Sequence, residues 1–71
     1  MNIRYNTVIV NGEPFNCYSS MSLYDLLIYL NFDIQRIVVE YNYKIIPSSQ
    51  FNYVVVNHND RLEIITIVGG G

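Results

Sequence analysis

One stretch of this chain has the apolar spacing of a helix, and the stretches on either side of it have the character of strands. Leu23, Leu26, Leu27 and Leu30 fall at i, i+3, i+4 and i+7, which lines four leucines along one stripe. Ser22 stands at the capping position, and Asp25 three residues later makes an acidic variant of the capping box. Met21 before the cap and Leu26 four positions after it fit a hydrophobic staple, and Asn31 is a suitable stop. The spacing predicts a helix over 22–30. A lone helix with one apolar stripe has to bury that stripe against the strands around it. The chain is therefore α+β, with one main helix packed on one face of a mixed sheet.

The strands follow from local chemistry. Residues 3–10 are rich in β-branched and aromatic types. Asn11-Gly12 is a strong two-residue hairpin signal, since both positions tolerate positive φ. Pro14 opens a second strand, 14–18, and its missing donor places that strand at a sheet edge. Residues 37–41 form a third strand, Asn42-Tyr43 a turn and 44–46 a fourth strand closed by Pro47. Ser48-Ser49-Gln50 reads as a turn or a single 3₁₀ turn, 53–56 as a short extended edge segment, and 57–60 as a polar loop. Residues 61–68 are apolar at almost every position, which suits a central strand buried or half-buried on both faces. The helix supplies the crossover that makes this last strand parallel to the first. The order is that of the β-grasp of ubiquitin-like proteins, with four to five strands. Residues 1–68 read as the domain and 69–71 as a flexible glycine tail.

At 71 residues the chain holds one core and leaves no room for a pocket walled on all sides by itself. An enzyme is therefore not expected. Four basic residues against six acidic ones give a net charge of −2, too little positive charge to track phosphates. Nucleic acid is excluded as a partner, and a basic protein partner is favoured. Cys17 is the single cysteine, so no internal disulfide forms and a reducing compartment is expected. No apolar run reaches the length of a membrane span, and the amino end lacks the features of a secretory signal. Residue usage is rich in Ile, Asn and Tyr and has no Ala, which points to an AT-rich bacterial or organellar genome.

Three of the four glycines are the last three residues, Gly69, Gly70 and Gly71. At average usage such a run arises by chance about once in three thousand trials. A segment without side chains is thin enough to enter a narrow active site on another protein. Its tip offers one reactive group, the α-carboxylate of Gly71. A carboxylate becomes an acyl donor when adenylation by ATP turns its oxygen into a leaving group. A sulfur nucleophile then takes the acyl group, with no catalytic side chain needed on the carrier.

With those residues in view, the chain resembles the ThiS family of thiamine-biosynthesis sulfur carriers. The matching stretches are 10–14 in the first hairpin, 22–30 in the helix and 38–42 in the third strand. Ile45-Ile46-Pro47-Ser48-Ser49-Gln50, Asn59-Asp60-Arg61-Leu62-Glu63-Ile64 and Ile67-Val68-Gly69-Gly70-Gly71 complete them. The resemblance implies a carrier, a protein co-substrate and not an enzyme. Its Gly71 would be adenylated by an E1-like enzyme and converted to a thiocarboxylate, with Gly69 and Gly70 threading into the partner. It further implies a cysteine-desulfurase-type sulfur donor, delivery to thiazole synthase, and no cofactor of its own, ATP being used by the activating enzyme. Two turns depart from the family pattern: Tyr43 stands where relatives often carry glycine, and Asn59 where glycine is usual before the aspartate. The same tail chemistry would serve the small subunit of molybdopterin synthase or a ubiquitin-like modifier joined to lysines. The fate of the carboxyl group separates them. Residence in the cytoplasm is expected, or in the plastid stroma if the chain is organelle-encoded.

Alternation along the last strand aims Leu62 and Ile64 at the helix, and Ile65 and Ile67 at the opposite face. Ile65, Ile67 and Val68 thus form a candidate docking surface at the root of the tail. Cys17 reads as a small apolar strand residue rather than a persulfide relay, and His58 as a solvated loop residue. No metal-binding cluster and no phosphate-binding glycine loop is expected. The tyrosines, without interleaved cations, are expected to flank the sheet or form a protein contact.

Overall fold

The computed structural model describes residues 5–67. Its strands are β1 (Tyr5–Val10), β2 (Glu13–Tyr18), β3 (Ile37–Tyr41), β4 (Lys44–Ile46) and β5 (Arg61–Thr66). The helix α1 (Leu23–Tyr29) lies between β2 and β3, and two 3₁₀ segments span Ile34–Arg36 and Ser48–Tyr53. The strands form one mixed sheet in the order β2-β1-β5-β3-β4. The last strand is central. It runs parallel to β1 and antiparallel to β3.

Both hairpins turn on residues with positive φ. Asn11 and Gly12 sit at 50° and 83°, and Asn42 and Tyr43 at 48° and 70°. The two asparagines also hold β5. The Asn11 side chain accepts from Ile64 N (2.7 Å) and donates to Ile64 O (3.2 Å). The Asn42 side chain accepts from Arg61 N (2.8 Å), while Asn42 N donates to Arg61 O (2.8 Å). The turns of the two outer hairpins therefore complete the hydrogen bonding of the strand between them.

Helix α1 begins at Ser22, whose Oγ accepts from Asp25 N at 3.0 Å. It ends with Asn31 at φ 65°. Asn31 N donates to Ile28 O and Phe32 N to Leu27 O, each at 3.0 Å, the paired bonds of a Schellman motif with Asn in the usual glycine place. Leu23, Leu26 and Leu27 are fully buried against Val8, Val39, Leu62 and Ile64, and Leu30 packs half-buried at the rim.

Three expectations need correction. The 3₁₀ segment runs on through Tyr53, so only 54–56 is extended, with Val55 bridged to Ser22. Phe51, 1% exposed, anchors that segment, which explains why local strand propensity loses there. The central strand is buried on one face only: Leu62 and Ile64 are covered, whereas Ile65 is 62% exposed. The helix covers one side of the sheet, and no other described element covers the reverse. Finally, β5 ends at Thr66, and Val68 lies outside the described residues.

Candidate docking face and tail root

Strand pairing defines the open face. On it lie Arg61, Glu63 and Ile65 of β5, Val38 and Glu40 of β3 opposite Ile65 and Glu63, and Ile45 of β4 opposite Glu40. Ile67 continues the same alternation. Ile45, Ile65 and Ile67 are 70%, 62% and 53% exposed. Together with half-buried Val38 they make an apolar patch on the central and adjacent strands. Of these, Ile65 and Ile67 were predicted from β5 alone. Val38 and Ile45 were missed, although the same period-two reading of β3 and β4 would have found them. Residues 53–56 do not cover the patch, since their bonds run to Met21, Ser22 and Leu23 beside the helix.

The chain leaves this face at a fixed point. Ile67 N donates to Arg36 O at 2.6 Å, tying the residue after β5 to the end of the first 3₁₀ segment. Whatever follows therefore starts from the edge of the apolar patch. Val68, Gly69, Gly70 and Gly71, the remaining predicted site residues, lie outside the described residues.

Charge is placed sparingly on the open face. Arg61 Nη2 donates to Glu63 Oε1 at 3.1 Å, and its guanidinium lies 5.5 Å from the centre of the Tyr43 ring. At the other end of the sheet the Tyr5 and Tyr18 rings pack with centroids 5.3 Å apart. Tyr5 and Tyr18 thus pair across β1 and β2, while Tyr24 and Tyr29 stand on the helix, Tyr43 in the second hairpin turn and Tyr53 in the second 3₁₀ segment, all exposed.

The other candidate groups belong to the fold. Cys17 is 3% exposed on the core side of β2. Burial pushes its thiol up, and the nearby Asp60 carboxylate adds to that, so the thiolate is disfavoured. His58 is exposed, but its Nδ1 accepts from Thr7 N at 3.0 Å, pinning the 57–60 loop to β1. Asp60 is buried and organises that loop. It accepts from Asn57 N (2.7 Å), Asn42 Nδ2 (3.0 Å) and the Tyr41 hydroxyl. Burial first, and the Asp60 hydrogen bond second, raise the Tyr41 phenol well above its ordinary range. Asn59, at φ 69°, takes the left-handed conformation that asparagine tolerates in place of glycine. Among the described residues no cluster of three or more His, Cys, Asp or Glu side chains is placed to hold a metal. No helix among them is long and apolar enough to cross a membrane.

Comparison with known proteins gives this arrangement a family. The model of the ThiS family matches residues 8–71. The chain belongs to the ThiS family. With the family comes the β-grasp fold and the role of a sulfur carrier in thiamine biosynthesis. The crystal structure of the thiamine biosynthesis protein ThiS from Geobacter metallireducens superposes with a TM-score of 0.79 at 26% identity, over 92% of this chain and 99% of that one. The uncharacterized protein ycf40 of Porphyra purpurea is 48% identical over 65 residues, 92% of each chain. The thiazole synthase of Paramagnetospirillum magneticum is 41% identical over 64 residues, which is 90% of this chain but 20% of that protein.

Proposed function

We propose that this ThiS-family carrier bears its sulfur on Gly71. The Gly71 carboxylate attacks the α-phosphorus of ATP on an E1-like enzyme, and pyrophosphate leaves. A persulfide of a cysteine-desulfurase-type donor then attacks the acyl carbon, AMP leaves, and a thiol reductant cleaves the S–S bond to free the thiocarboxylate. That sulfur goes to thiazole synthase for the thiazole ring of thiamine. The chain is a co-substrate in both steps and contributes no catalytic side chain. Gly69 and Gly70 form the thin segment that reaches the partner's active site.

One observation carries the reading: the family match extends through Gly71, the residue at which this chemistry would occur. The stretch resembling this chain inside a thiazole synthase supports that enzyme as the recipient. Docking is assigned to the open face, through Ile65 and Ile67 and on to Val68, because the tail starts at that patch. Residence in the plastid stroma is supported by the ycf40 relatives of Porphyra purpurea and Pyropia yezoensis, together with the AT-rich residue usage.

The test is to delete Gly71, or to append one residue after it, and measure ATP–pyrophosphate exchange with the cognate adenylating enzyme. Both variants are expected to fold normally and to lose exchange. Normal exchange by the extended chain would refute the assignment of Gly71.

A further inference from the structure

Three charged side chains stand on the open face among the described residues: Arg61, Glu63 and Glu40. Glu40 and Glu63 are directly opposite each other across β3 and β5. Such pairs hold their Cβ atoms about 4.5–5.5 Å apart, and like charges in that position destabilise a sheet. Arg61 relieves only one of the two. Its guanidinium is engaged by Glu63 at 3.1 Å and by the Tyr43 ring. Among the described residues the ion pairs are Arg36–Asp33 and Arg61–Glu63, and Glu40 is in neither. Its other cross-strand neighbour is Ile45, and the next residue along the face on its own strand is Val38, which faces Ile65. Among the described residues, a half-buried carboxylate with no cation paired to it therefore stands inside the apolar patch.

The isolated fold gains nothing from this arrangement, and a neutral residue at position 40 would serve it better. We propose that Glu40, with Glu63 beside it, receives an arginine from the surface of thiazole synthase when that protein covers the open face. The inference rests on the docking role assigned to that face. An arginine fits because its planar fork can donate to two carboxylates at once. Covering the patch removes water, which strengthens the attraction between the guanidinium and the two carboxylates. The same burial penalises a protein that brings an apolar or acidic side chain to this spot, since it would bury Glu40 unpaired. The apolar patch would then supply contact area, and the acid pair register and selectivity.

The test uses full-length chains titrated with thiazole synthase of the source organism, at low and at high salt. Melting of each free chain is measured alongside. Glu40→Gln is expected to raise Tm by about 1–5 °C, because it removes the like-charge pair. It is also expected to weaken binding by about tenfold at low salt and to reduce the salt dependence. Ile65→Asp is expected to weaken binding at both salt concentrations. If Glu40→Gln binds like the parent while Ile65→Asp does not, the acid-pair inference is wrong and the docking face stands. Parental binding by Ile65→Asp would remove the docking face and this inference with it. Loss of stability and affinity together in Glu40→Gln would also overturn it, because the carboxylate would then be serving the fold.

Discussion

Ile64 and Ile65 are neighbours in the same central strand, yet the fold treats them in opposite ways. Ile64 is 6% exposed beneath the helix, and Ile65 is 62% exposed on the open face. Replacing Ile64 by Asp forfeits about 2–3 kcal/mol of apolar burial. It also places a carboxylate against Val39, Leu62 and the helix leucines with no partner in reach, which adds several kcal/mol more. A chain of this size has a total stability of roughly 4–11 kcal/mol. Ile64→Asp should therefore be largely unfolded at room temperature. Ile65→Asp loses about 1 kcal/mol of partial burial and up to about 1 kcal/mol of strand preference, while its charge keeps its water. Its melting point should fall by about 5–15 °C with a cooperative transition retained. Circular dichroism melting and urea titration of the two variants decide the matter. Equal and severe unfolding by both would mean that the reverse face of the sheet is covered, and the docking surface would have to be sought elsewhere.

Other expected outcomes follow from single contacts. Asn11→Gly suits the turn but loses both bonds to Ile64, so it should destabilise by about 1–2 kcal/mol in urea titration where turn propensity alone predicts a gain. Asp60→Ala strips partners from Asn57 N, Asn42 Nδ2 and the Tyr41 hydroxyl and should cost about 3 kcal/mol, with hydrogen exchange rising first in the 57–60 loop. Stability should decline above about pH 9. Folding raises both the Cys17 thiol and the Tyr41 phenol, so the unfolded chain sheds these protons first as pH rises, and Tyr41→Phe should flatten the upper part of the decline. Cys17→Ala should leave sulfur loading within a few-fold of the parent, and a thiol reagent should label native Cys17 far more slowly than the unfolded chain.

Features whose causes lie close together in the chain were legible before the fold was known. Ser22 and Asp25, Asn31, Asn11-Gly12 and Asn42-Tyr43 act on neighbours within a few residues, and their chemistry names the cap, the stop and the turns. The central place of β5 was legible too from its apolar run, although that run is covered only on the Leu62 and Ile64 side and not on both faces. Long-range effects were not. The nitrogen of His58 that holds Thr7 N, and the asparagine side chains that clasp Ile64 and Arg61, join residues far apart in sequence. Nothing in the sequence near them marks the bond. Tyr53 and its neighbours have strand-like side chains, but Phe51 is drawn into the core and winds the segment into a 3₁₀ helix. Asp60 looked like part of a polar loop because its three donors come from two separate segments. The apolar patch on the open face was half visible, since alternation in β5 exposed Ile65 and Ile67, while Val38 and Ile45 join them only once β3 and β4 are paired alongside.

Gly71 is the residue proposed to carry the sulfur. The most direct measurement is the intact mass of the chain after incubation with ATP, the cognate adenylating enzyme and a desulfurase supplied with cysteine, followed by fragmentation to locate the change. Replacement of one oxygen by sulfur, confined to Gly71 and absent without ATP, is expected. Sulfur found on Cys17, or the Gly71 carboxyl joined to a lysine instead of carrying sulfur, would contradict the proposal.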